Sequence, residues 1–64
     1  EGMRLAYLDV QGHYAACGLA IRAIRRGALT VVEPLPDDFY RVYVREDVKH
    51  LLGCVCTLVD MEAL

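Results

Sequence analysis

Cys54-Val55-Cys56 places two thiols one residue apart. With Cys17, His13 and His50 they make up every thiol and imidazole in the chain. Four such groups are what a tetrahedral zinc site needs, but paired cysteines in those sites are usually separated by about two to four residues. The alternative is that the cysteines are small buried hydrophobes, and no metal is expected. A redox role is weaker still, because the pattern is not Cys-x-x-Cys. On an extended strand, Cys54 and Cys56 point the same way with Cα atoms about 6.6 Å apart, a poor geometry for a bridge.

His13 and Cys17 stand one helical turn apart, so their side chains can meet. With Asp9 they form the outline of a nucleophile, a base and an orienting acid. No oxyanion device, substrate cleft or glycine-rich phosphate loop accompanies them. The expectation is therefore a protein that is not an enzyme and carries no cofactor.

Phe39, Arg41, Tyr43 and Arg45 alternate along one stretch and share a face if it is a strand. Arginine interleaved with aromatics on an open sheet face is how some domains stack single-stranded bases. Tyr7 would join that face, and Arg22, Arg25 and Arg26 could add phosphate contacts. The plainer uses are a solvated hairpin with Arg–Tyr cross-strand pairs, or a face covered by a second subunit. Glu33, Asp37, Asp38, Glu46 and Asp47 would repel a phosphate backbone, and the net charge is −2. Nucleic acid is thus the alternative rather than the favoured partner. The candidate interface or ligand-binding residues are Tyr7, Phe39, Arg41, Tyr43 and Arg45. Glu33 with Asp37-Asp38 offers oxygen ligands but matches no calcium loop, so these are read as solvated turn residues.

The element that organises the rest is Gly12–Gly27. At about 100° per residue, Gln11, Ala15, Gly18, Arg22, Arg25 and Arg26 form a polar stripe beside a broad apolar arc of Tyr14, Cys17, Leu19, Ala20, Ile21, Ala23 and Ile24. Alanine and arginine favour helix. Arg25 and Arg26 suit the negative end of the macrodipole, and Gly27 sits where a left-handed C-cap belongs. The N-terminus lacks a Ser or Thr cap. Gly18 with Ala15 forms a flat strip at the edge of the arc, where another backbone could approach.

Around this helix lie four expected strands. Met3–Val10 carries Leu5 and Tyr7 on one face and Ala6, Leu8 and Val10 on the other. Ala28–Glu33 has the β-branched signal. Pro34–Asp38 is a turn, and Phe39–Arg45 returns as the second arm of an antiparallel hairpin. Glu46–Leu52 reads as one or two helical turns ending at Gly53, and Cys54–Asp60 as the last strand. The fold class is α+β: two layers, with one main helix on a roughly four-stranded mixed sheet in β-α-β-β-β order. A parallel β1/β2 pair would need a right-handed crossover. The rival is a small SH3-like β-barrel in which Ala15–Val32 is a hairpin. The expected core is Leu8, Val10, Cys17, Ile21, Ile24, Val32, Val42, Val44 and Val55.

Sixty-four residues form a single small domain, residues 1–64, yet 56% of them are hydrophobic. So short a chain buries only about 60% of its unfolded surface. The surplus of apolar residues points to a homodimer or a higher even-numbered oligomer, with Tyr43 at the interface. An odd cysteine count suggests reduced thiols and a cytoplasmic setting. No signal peptide is visible, and no run approaches the roughly 18 apolar residues of a membrane span. Met3 is the expected natural start, preceded by an added Glu1-Gly2. The expected function is that of a small cytoplasmic, non-enzymatic, oligomeric binding protein.

Overall fold

In the computed structural model, residues 4–53 and 56–60 are described. Four strands form one sheet: β1 (Arg4–Gln11), β2 (Val31–Pro34), β3 (Phe39–Arg45) and β4 (Thr57–Asp60), with helix α1 (His13–Arg25) between β1 and β2. The order across the sheet is β2-β3-β1-β4, and every neighbouring pair is antiparallel. The α+β class holds and the barrel does not. The sheet is not mixed, however. β3 folds back from β2 and inserts between β2 and β1, so the two strands joined through the helix run the same way without touching.

α1 starts at Gly12 without a side-chain cap. It ends in a Schellman motif: the Gly27 N–H donates to Ile24 O at 2.9 Å and the Ala28 N–H to Ala23 O at 3.0 Å. Gly27 has φ +81°, the left-handed geometry this closure requires. β2 turns into β3 through a 3-10 turn, Pro36–Asp38. Asp37 and Asp38 adopt positive φ there, which aspartate tolerates better than most residues. The Gly12 N–H donates to Asp38 O at 2.7 Å, tying this turn to the start of α1. Glu46–Leu52 is a 3-10 segment kinked at Val48 rather than regular α-helix.

The core lies between the sheet and these two helical pieces: Ala6, Ala16, Ala23, Val42, Val44, Leu51 and Leu52. Leu8 and Val10 are half-buried against it. Four expectations fail here. Ile21 is 51% exposed and Ile24 59%, Val32 stays 39% exposed, and Cys17 is only half-buried. Val55 lies outside the described residues. The physical reason is close approach. α1 faces the sheet with Ala16, Ala20 and Ala23, which bring its axis near the strands. Leu51 and Leu52 join the same core, and Ile21 and Ile24 point away from it. Among the described residues, no helix is long and apolar enough to cross a membrane.

Candidate interaction surfaces

The β1/β3 register sets Tyr7 opposite Tyr43, Asp9 opposite Arg41, Leu5 opposite Arg45 and Gln11 opposite Phe39. Successive residues of a strand alternate faces. All of these therefore lie on the side of the sheet away from α1, while Ala6, Leu8, Val42 and Val44 face the core. The candidates Tyr7, Phe39, Arg41, Tyr43 and Arg45 thus share one open face. Val31 and Glu33 of β2 join it through their pairing with Tyr43 and Arg41.

The centre of this face is already satisfied by its own groups. Arg41 donates from Nε to Asp9 Oδ1 at 2.8 Å and from Nη2 to Asp9 Oδ2 at 3.1 Å. The same guanidinium covers the Tyr7 ring at 4.2 Å from its centroid, a cation–π arrangement. Tyr7 packs on Tyr43 with ring centroids 5.6 Å apart. Tyr43 Oη donates to Glu33 Oε1 at 2.7 Å, and Thr30 Oγ1 donates to Tyr43 O at 2.7 Å. Tyr43 is left only 8% exposed.

The titration behaviour follows from these bonds. The Arg41 hydrogen bond holds the Asp9 carboxyl below its ordinary range. The bond to Asp9 in turn holds the Arg41 guanidinium still more firmly in its charged form. Tyr43 is pushed above the usual phenol range, first by its hydrogen bond to the Glu33 carboxylate and then by burial.

At the rim, Arg45 lies 3.3 Å from Asp47, and Arg4 pairs with Glu46 at 2.8 Å. Phe39 remains partly exposed at the other end of β3.

The other sequence candidates are dispersed. Arg22 Nη2 donates to Leu51 O at 3.0 Å, joining α1 to the 3-10 segment. Arg25 and Arg26 are exposed at the end of α1, in the helix layer and not on the open sheet face.

Cys17 Sγ does meet His13, at 3.5 Å from Nε2 and 3.7 Å from Nδ1, and His13 stands edge-on to Tyr40. Asp9 does not complete that set, because β1 turns its carboxylate to the far face, where Arg41 binds it. His50 is exposed on the 3-10 segment, Cys56 packs against the core, and Cys54 lies outside the described residues. Among the described residues, no three His, Cys, Asp or Glu side chains converge on a metal position.

A second surface, which includes Ile21, Ile24 and Val32 of the expected core, lies on the helix side. Tyr14 is 91% exposed. Ile21 and Ile24 of α1 are half-exposed and Val32 of the edge strand β2 is partly exposed on the same side of the sheet, while Arg25 and Arg26 are exposed at the end of the helix. The breadth of the helix's apolar arc was the available signal: it exceeds what one side of a helix can bury against a sheet. Compared with models of protein families, with curated proteins and with solved structures, the chain matches none.

Proposed function

We propose that this is a small, non-enzymatic interaction protein that works as a homo-oligomer. The observation that carries the reading is the apolar surface left by the alanine-lined packing of α1: Tyr14, Ile21 and Ile24, with Val32 on the neighbouring edge strand. Monomeric proteins seldom leave large contiguous apolar patches in water. The non-enzymatic reading is supported by the separation of Asp9 from His13 and Cys17.

The alternative, a binder of single-stranded nucleic acid through the Phe39–Arg45 face, finds less support in the geometry. A base-stacking surface needs open aromatic faces and uncommitted cations. Here Arg41 covers Tyr7 and is bound in a fork to Asp9, and Glu33 adds negative charge beside Tyr43.

Sedimentation equilibrium at micromolar chain concentration, with and without a single-stranded oligonucleotide, tests both readings. The expected result is reversible self-association unaffected by the oligonucleotide. A single monomeric species, unchanged by concentration, would refute the proposal. Oligonucleotide binding that weakens in the Arg41→Ala variant would favour the alternative.

A further inference from the structure

We infer that the self-association surface is the outer face of α1, with two copies pairing their helices antiparallel about a two-fold axis near Gly18 and Ile21. This rests on the reading that the chain self-associates, and it goes on to name the surface and its geometry. Tyr14, Gly18, Ile21 and Arg25 recur at helical spacing along one line, opposite the buried Ala16, Ala20 and Ala23. In the antiparallel arrangement, Ile21 of each copy lies over Gly18 of the other. A Cβ built on Gly18 meets nothing within 4 Å, so that position can receive a side chain from outside. Tyr14 then stands opposite Arg25, a ring against a guanidinium.

Charge selects this orientation over the parallel one. Arg25 and Arg26 are exposed at one end of the helix, and among the described residues neither is held in an ion pair. At the other end, the bond from the Gly12 N–H to Asp38 O fixes Asp37 and Asp38 beside the helix start. Both carboxylates are exposed, and among the described residues both lack an ion-pair partner. A 13-residue helix is about 20 Å long at ~1.5 Å per residue. Within one chain the two clusters are therefore farther apart than the screening distance of about 8–10 Å at ordinary salt. An antiparallel two-fold pair lays each basic end over the partner's acidic loop, and the symmetry makes the contact twice. A shallow crossing of about 20° keeps both ends within reach. Parallel helices would stack arginine on arginine.

The helix face is about 10 Å wide, so the contact lies at the small end of specific interfaces. Association is expected to be reversible and to weaken with salt.

The test is sedimentation equilibrium of the full chain and four variants, each checked for its fold by circular dichroism. Ile21→Glu/Ile24→Glu changes only exposed positions and should leave a folded monomer. Arg25→Glu/Arg26→Glu and Asp37→Asn/Asp38→Asn should each raise the dissociation constant, the first by about tenfold or more. Asparagine keeps the left-handed turn available. In the fourfold variant, the arginine changes should cost less than they do alone. That coupling can arise only between chains, because the clusters lie too far apart within one. A parent chain that stays monomeric would overturn this proposal together with the reading it rests on. A dimer that survives the isoleucine changes, or arginine and aspartate effects that simply add, would overturn this proposal alone and move the interface to the β2 edge or the open sheet face.

Discussion

Replacing Ala23 by Leu should destabilise the protein by about 1–3 kcal/mol, the usual cost of overfilling a packed site. Ala23 is fully buried on the sheet side of α1, beside Ala16 and Ala20. Leucine adds three carbons. At ~0.8 kcal/mol per buried CH2 they would contribute about 2.4 kcal/mol if space were waiting for them. None is waiting, because the alanines set the distance between helix and sheet. The helix must lift, and lifting it uncovers Ala16, Ala20 and the neighbouring valines. Helix propensity is no confounder, since Ala and Leu differ by only a few tenths of a kcal/mol. Ala15→Leu supplies the control. That position is exposed, and the change there should stay within about 0.5 kcal/mol. In a domain of this size the Ala23 variant should lose about 5–20 °C of melting temperature. Thermal and urea unfolding followed by far-UV circular dichroism would measure it, at one fixed chain concentration. A chain with Ala23→Leu that melts at or above the parent would show that Ala23 does not face the sheet. The isoleucines would then return to the core.

Ile21→Ala, measured at a dilution where the chain is monomeric, should cost about 1 kcal/mol, since roughly half of that residue is already in water and full burial of an isoleucine is worth about 1.5–3 kcal/mol; a loss above about 3 kcal/mol in urea unfolding there would contradict the exposed position. Gly27→Ala should cost about 1 kcal/mol or more, because φ +81° is unfavourable for any residue with a Cβ; unchanged stability in the same assay would remove the Schellman closure. Tyr43→Phe should cost about 0.5–1.5 kcal/mol through loss of the Glu33 bond, and a melting temperature equal to the parent's would deny that bond any weight. The pH dependence carries two signs. Asp9 titrates lower in the fold than in the unfolded chain, so its contribution is complete above the ordinary carboxylate range and is lost as pH falls through its lowered value; Asp9→Asn should flatten that acid limb. Tyr43 titrates higher in the fold, so its contribution holds below the ordinary phenol range and is lost as pH rises through its raised value. Ultraviolet titration should find a phenol step above the ordinary range, with that step absent from Tyr43→Phe.

The elements whose signal is local were legible in the residues. Phe39–Arg45 is bounded as its alternation predicts, because a strand with one buried face must alternate. α1 ends where Gly27 allows the left-handed closure. Strand order was not legible. Nothing within β1, β2 or β3 says that the hairpin will turn its second arm inward against β1, because that choice is made by the packing of whole elements. The helix face was misread for a related reason. A wheel shows which residues are apolar but not how near the neighbouring layer lies. Isoleucine reads as core on hydrophobicity alone, yet alanine wins wherever the helix sits close to the strands. Leu51 and Leu52, adjacent and just before Gly53, were the overlooked sign that a second piece would share the space beneath α1.

The same difference separates the two surfaces. The aromatic and arginine positions of the open sheet face were legible, because strand alternation brings odd-numbered positions of β1 and β3 to one side, while Asp9 and Glu33 were not assigned to it. Which groups satisfy one another across that face depends on the register itself, which no single strand contains. A shift of two residues would take Asp9 from Arg41 and leave the guanidinium free for a phosphate. In the observed register, Asp9 takes up the fork and Glu33 takes the Tyr43 hydroxyl, so the aromatic and cationic groups that looked available are already engaged. What stays unengaged is Ile21, which looked internal, and Tyr14 beside it outward on α1, with Arg25 and Arg26 at one end of the helix and Asp37 and Asp38 at the other. On the proposed reading, a second copy turned by half a revolution would cover this apolar surface and set each basic end against an acidic loop, and the symmetry would make that contact twice.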